Sequence, residues 1–383
     1  LDVALNPLTS LNAPYPIELV CALGSGTAKV YYGTEFDAPT GAVNWALRDT
    51  DLTGDVIAMK SDPFDYRRWF VITTTGLWRN DNLPADAAWT QVADNATLLG
   101  DSTYRAYFID MPITRRGCIL ISHGRNGVSR TFDYGATWAD ATIGGDAYIP
   151  LGDPWDTGPC HISISQQDSG VVWGGRLSAD SKTVYIAVST DWGANWTTKA
   201  TLGYASAQSG PVVNVPYMRA LNTANSAGAS QMIYFTHGIS IGGGSRIGVT
   251  IDGGANWTTD GPSFGDDAYI GGASKYCMNT YTQDGRIMYY FRAPSGGAFK
   301  RLVSTEDALT TETVIGVPGW GANEIGLNGW PSNAHFLITF SRDTGVMFTA
   351  DWRSVPWADL STGLANTDVV YCAGDLSSFI SAS

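Results

Sequence analysis

Residues 189–198 read STDWGANWTT, and the phrase returns twice: residues 131–138 read TFDYGATW and residues 250–257 read TIDGGANW. All three fit the pattern [S/T]-x-D-x-G-x-x-W. Self-similarity at a period of about 40 to 60 residues signals an architecture built from stacked or radial units. Four worn copies extend the series: TEFDAPTGAVNW (34–45), LWRNDNLPADAAWTQV (77–92), STEDALTTETVI (304–315) and TADWRSVPW (349–357). The aligned aspartates are Asp37, Asp81, Asp133, Asp191, Asp252, Asp307 and Asp351. Seven units are expected.

Each unit carries short runs of β-branched and aromatic residues around its phrase. In the second these are DVIAMKSD (55–62), RRWFVITT (67–74), GLWRNDN (76–82) and WTQV (89–92), which predict a four-stranded antiparallel meander. Radial repetition of such sheets is the β-propeller solution to exposed strand edges. The expected fold is therefore all-β, a single seven-bladed propeller over residues 1–383. Its blades fall near 17–48 plus 368–375, 55–92, 104–142, 160–200, 215–259, 275–316 and 324–360. The first unit lacks an opening strand, and DVVYCAGD (368–375) is left over at the other end. That surplus strand is expected to close the ring on the N-terminal blade, bringing Cys21 opposite Cys372 and allowing a disulfide in one of the two alternating registers.

The phrases resemble the Asp-box, or BNR repeat, of sialidase-like and xyloglucanase-like β-propellers. That resemblance implies the fold, but its members include sialidases, xyloglucan-cleaving hydrolases, sortilin-type receptors and photosystem assembly factors. It also implies that the boxes lie away from a catalytic funnel. The Arg-Ile-Pro signature of sialidases is absent, and of five glutamates only Glu324 lies near the expected funnel face. Xyloglucanases build their cleft between two tandem propellers, whereas this chain provides one.

The box is expected to be a staple. Its Asp can accept backbone N–H bonds, its Gly can take positive φ, and its Trp can fold back under the turn. Asp133, Asp191 and Asp252, with Trp138, Trp196 and Trp257, are thus assigned structural roles. The loops on the other face are long and collect Asp146, Asp153, Trp155, Asp156, Asp266, Asp267, Tyr269, Trp320 and Trp330. The turns between second and third strands add His123, Arg125, His237, Arg246 and Arg292. Rings beside polar groups suit a sugar, whose apolar face stacks while its hydroxyls hydrogen-bond. Ligand binding is expected of His123, Arg125, Asp153, Trp155, His237, Tyr269, Trp320 and Trp330. A hydrolase would need paired carboxyls, for which Asp156 with Asp266 or Asp267 are the candidates.

A formal net charge of -13 repels phosphate backbones and anionic membranes, so a nucleic-acid partner is not expected. No apolar run approaches the ~20 residues of a membrane helix. The five cysteines, Cys21, Cys118, Cys160, Cys277 and Cys372, have no metal-ligand spacing, and no metal or cofactor is expected. The composition suits display outside the cell or on a particle surface, and a chain beginning at Leu1 is expected to be processed or part of a larger one. Three functions remain open: a non-catalytic binding or scaffold propeller with a glycan or protein partner, a glycoside hydrolase, and a structural domain of a larger assembly such as a phage tail.

Overall fold

The computed structural model describes residues 18–23, 29–37, 42–99, 106–123, 127–141, 161–165, 169–177, 183–203, 218–220, 233–237, 246–258, 278–281, 287–292, 301–305, 313–315, 325–330, 333–341, 345–349, 357–365 and 369–375. Among the described residues the fold is nearly all β, with the strands in seven antiparallel sheets. The first holds β1 (Glu18–Leu23), β2 (Lys29–Asp37) and β3 (Ala42–Leu47). The second holds β4 (Val56–Asp62), β5 (Asp65–Thr73), β6 (Gly76–Asn80) and β7 (Thr90–Asp94). A single helical turn, α1 (Asn95–Leu99), leads to the third: β8 (Ala106–Asp110), β9 (Ile119–His123), β10 (Gly127–Thr131) and β11 (Ala139–Ala141). The fourth is β12 (His161–Ile164), β13 (Val172–Leu177), β14 (Thr183–Ser189) and β15 (Thr197–Gly203).

The fifth sheet has three strands, β16 (Met218–Ala220), β17 (Ile233–His237) and β18 (Arg246–Thr250), extended by one bridge from Val249 to Thr258. The sixth is β19 (Met278–Tyr281), β20 (Ile287–Arg292), β21 (Arg301–Thr305) and β22 (Thr313–Ile315). The seventh is β23 (Ile325–Trp330), β24 (Asn333–Ser341), β25 (Gly345–Thr349) and β26 (Ala358–Asp359). The last strand, β27 (Val369–Asp375), returns to the start of the chain and pairs with β1, with Cys21 opposite Cys372.

Consecutive strands pair within each sheet, so every sheet is a meander. The leading strands touch one another in sequence, β4 to β8, then β12, β16, β19, β23 and β27, and β27 touches β4 again. Short apolar strands are what such an arrangement requires, because a sheet covered on both faces buries successive side chains whichever way they point. In β9 all five residues of ILISH are buried. One core cluster unites Val20, Tyr32, Val71, Leu120, Ile162, Val172 and Val346 from five sheets, the seventh and the first to fourth.

The antiparallel meander also fixes which connections share a face. Turns between first and second strands lie with those between third and fourth strands, where the boxes sit. The second strands end, and the third strands begin, at the opposite end.

Candidate functional site

The three intact boxes have one hydrogen-bond plan. The hydroxyl closing the third strand donates to the aspartate two residues on: Thr131 to Asp133 at 2.7 Å, Ser189 to Asp191 at 2.8 Å and Thr250 to Asp252 at 2.8 Å. The same hydroxyl accepts the N–H of Gly135, Gly193 or Gly254 at 2.8–3.0 Å. Each aspartate's Oδ1 also accepts a backbone N–H four residues on, from Thr137, Asn195 or Asn256. Its Oδ2 accepts that residue's side-chain donor at 2.7 Å. Both carboxylate oxygens are thereby occupied within their own turn.

These bonds favour the ionised acid. The donors on Thr131 and Thr137 hold Asp133 at a pKa of about 2, and those of Asn256 and Thr250 do the same for Asp252. For Asp191 burial pushes the carboxyl up, but the bonds from Asn195 and Ser189 outweigh it and leave the value at about 2. Such groups are poor proton donors or bases near neutrality.

Each box packs onto the sheet before it. A β-carbon on Gly135 would run into Val92 of β7, and one on Gly254 would lie 3.1 Å from Trp173 of β13. The indole N–H of Trp196 donates to the Gly193 carbonyl at 3.0 Å, and that of Trp257 to Gly254 at 3.1 Å. In the worn copies the ring N–H bridges sheets instead: Trp89 donates to the Arg48 carbonyl and Trp45 to that of Leu360. Trp45 and Trp89 thus join neighbouring sheets, and Trp257 meets Trp173 of the preceding sheet edge-on.

The second unit departs from the sequence alignment by one position. Asn80, not Asp81, ends β6 and works inward: its amide donates to the Ala87 carbonyl and its oxygen accepts the Asn82 N–H at 2.9 Å. Asp81 points outward to Arg68 at 2.7 Å and to Arg79 at 3.2 Å.

On the opposite face, His123 requires a correction. It ends β9 but is fully buried, because every residue of β9 lies in the packed interior. Its Nε2 lies 2.9 Å from Ser129 Oγ, which donates its own proton to the Leu98 carbonyl of α1. The hydroxyl proton being committed, Nε2 carries the hydrogen toward Ser129. His237 and Arg246 stand directly opposite each other where β17 meets β18, and Arg292 opposite Arg301 where β20 meets β21. Trp330 ends β23, paired with Asn333. Arg125, Asp146, Asp153, Trp155, Asp156, Asp266, Asp267, Tyr269 and Trp320 lie outside the described residues. Among the described residues no cluster of His, Cys, Asp or Glu fits a metal ion, and no helix is long and apolar enough to cross a membrane.

The buried imidazole and the boxes predict two acid limbs. Burial lowers the His123 pKa to about 4, against an unfolded value near 6.5, so the unfolded chain binds the extra proton first. Stability is expected to fall as the pH drops from about 6.5 to about 4, by about 3 kcal/mol over that window. The box aspartates, depressed to about 2, stabilise the protein above about pH 4 and lose that contribution as pH falls through 2. Urea midpoints measured against pH should show both limbs, and His123→Gln should remove the upper one alone.

No family model matches the chain, and no curated protein sequence does. Solved structures do share its fold. An ancestral GH74 enzyme superposes with a TM-score of 0.55 at 14% identity over 91% of this chain, which spans 47% of that one. The chain thus covers about half the length of that enzyme. A lectin from Burkholderia pseudomallei matches with a TM-score of 0.55 at 12% identity, over 90% of this chain and 94% of the lectin. A 6-phosphogluconolactonase-like protein from Bacteroides uniformis gives 0.56 at 13% identity, over 94% and 99%. At these identities the likeness is one of fold, and the chain has a β-propeller fold.

Proposed function

We propose that the chain is a non-catalytic binding or scaffold domain: one seven-bladed Asp-box propeller spanning 1–383, closed by β27, that takes a glycan or protein partner on the loop-rich face. The observation that carries this reading is the saturation of the box aspartates. With both oxygens of Asp133, Asp191 and Asp252 satisfied internally, the repeated motif serves the scaffold, and recognition falls to the loops. The fold shared with a lectin over most of both chains supports it. Exposure outside the cell or on a particle surface, alone or within a larger assembly, accords with the acidic composition.

Glycoside hydrolysis by Asp156 with Asp266 or Asp267 is the second reading, supported by the GH74 likeness. Glycan-array binding and reducing-sugar release on the same preparation separate the two. Binding without release supports the first; release abolished by Asp156→Asn supports the second. Trp155→Ala and Trp320→Ala are each expected to weaken glycan binding about tenfold or more, as loss of a stacking ring does, with an unchanged melting temperature. Early melting at normal affinity would make both rings core residues and remove the proposed site.

A further inference from the structure

The box face, which the proposed function leaves as scaffold, carries an arrangement of its own at the seam between the third and fourth sheets. The loop from β8 to β9 reads MPITRRG (111–117), and Ile113, Thr114, Arg115 and Arg116 are all exposed. Arg115 lies with its guanidinium carbon 3.7 Å from the Phe132 ring centre and 5.5 Å from that of Trp192 in the next box. Arg130 approaches Phe132 from 5.7 Å and donates to the Asp191 carbonyl. Arg116 donates to the Tyr134 hydroxyl at 3.3 Å.

Two features mark this as more than a solvated surface. Among the described residues none of Arg115, Arg116 and Arg130 has a carboxylate within ion-pair distance, in a chain whose acids outnumber its bases 36 to 23. Moreover, Tyr134 and Trp192 hold φ of 58° and 61°, a left-handed backbone that bulky residues rarely adopt. The third box places Gly253 there, at φ 69°, so the turn itself asks for no side chain. Each ring packs inward, Tyr134 stacking on Phe70 and Trp192 lying against the main core, and each also meets an arginine of the loop: Arg116 at the Tyr134 hydroxyl and Arg115 over the Trp192 ring.

A guanidinium stacked on a ring keeps its edge N–H donors pointed outward in a fixed fork, suited to bidentate carboxylate binding. Beside it stand Ile113 and Phe132, exposed by 57% and 36%. That pairing of cation and apolar surface matches a protein segment that carries both carboxylates and aliphatic side chains, rather than a polyanion that offers charge alone. We propose that this patch docks an acidic segment of a partner protein, with its carboxylates on Arg115 and Arg116 and an aliphatic side chain against Ile113 and Phe132.

The test uses a fluorescein-labelled peptide of alternating Glu and Leu, titrated into the full chain by anisotropy at low and high salt. Wild type and an Arg67→Gln control are expected to bind it alike. Arg115→Gln/Arg116→Gln is expected to bind at least tenfold more weakly with an unchanged melting temperature, and salt is expected to weaken the wild-type complex. Equal affinity in wild type and double variant overturns the proposal. So does an arginine-dependent affinity for polygalacturonate or oligo-dT exceeding that for the peptide. Sedimentation showing a dimer that the double variant abolishes would assign the patch to a second copy of the chain and overturn it equally.

Discussion

Trp173→Ala is expected to lower stability by about 3–5 kcal/mol, the range for removing a fully buried large aromatic. Trp173 is 2% exposed, sits on β13 in the fourth sheet, and meets Trp257 of the following box edge-on with ring centres 6.2 Å apart. Gly254 is pressed so close to the same indole that even a β-carbon there would stand 3.1 Å from it. Truncation therefore empties the socket on which the next box rests, and the box cannot collapse inward because its own hydrogen bonds hold its shape. Denaturant midpoints for Trp173→Ala, Trp257→Ala and the double variant test this. The double variant should cost about 0.5–1.5 kcal/mol less than the sum of the singles, the coupling of an aromatic pair. Strict additivity would mean that the two rings stabilise their sheets separately.

The same elements show where the sequence could be read and where it could not. Strands and boxes are legible because their signals are local: β-branched runs fix the strands, and [S/T]-x-D-x-G-x-[T/N] encodes the turn within seven residues. The surplus strand at the C-terminus was legible because a unit lacked its partner, and β27 pairs with β1 accordingly. In the second unit Asp81 attracted the alignment although Asn80 fills the inward position. An amide supplies the acceptor there, and the longer turn, with Leu83–Ala85 as a 3-10 segment, erased the spacing that would have revealed it.

The site face was harder to read, since burial depends on partners distant in the chain. His123 stands next to a Gly-rich turn and looks presented, yet it is fully buried beside Ser129, whose hydroxyl is held by the Leu98 carbonyl of α1. The short helical turn had no amphipathic period to announce it. Arg115 and Arg116 are hard to read for a related reason: their ring contacts come from two different boxes, and an Arg-Arg pair alone has no spacing rule. Its signal was the cationic doublet itself in an acidic chain.

Asp110→Ala is expected to cost about 3 kcal/mol, near the lower end of what breaking a buried ion pair removes. Asp110 is 2% exposed at the end of β8. Its carboxylate accepts Lys60 Nζ at 3.1 Å from β4, the N–H of Ile164 at 3.0 Å from β12, and the N–H of Met111 at 3.0 Å. One side chain thus ties the leading strands of three successive sheets together. Alanine would leave the buried Ile164 N–H without its acceptor and Lys60 without its counter-charge; Lys60, about one-third exposed, can turn to water, which moderates the loss. Asp110→Asn separates the two contributions, because its amide oxygen can still accept one N–H while the charge is gone. A urea midpoint for Asn between wild type and Ala is the expected result. Should Asn fall as far as Ala, the Lys60 attraction would dominate; should Ala match wild type, the carboxylate would not join the sheets energetically, and inter-sheet cohesion would rest on apolar packing alone.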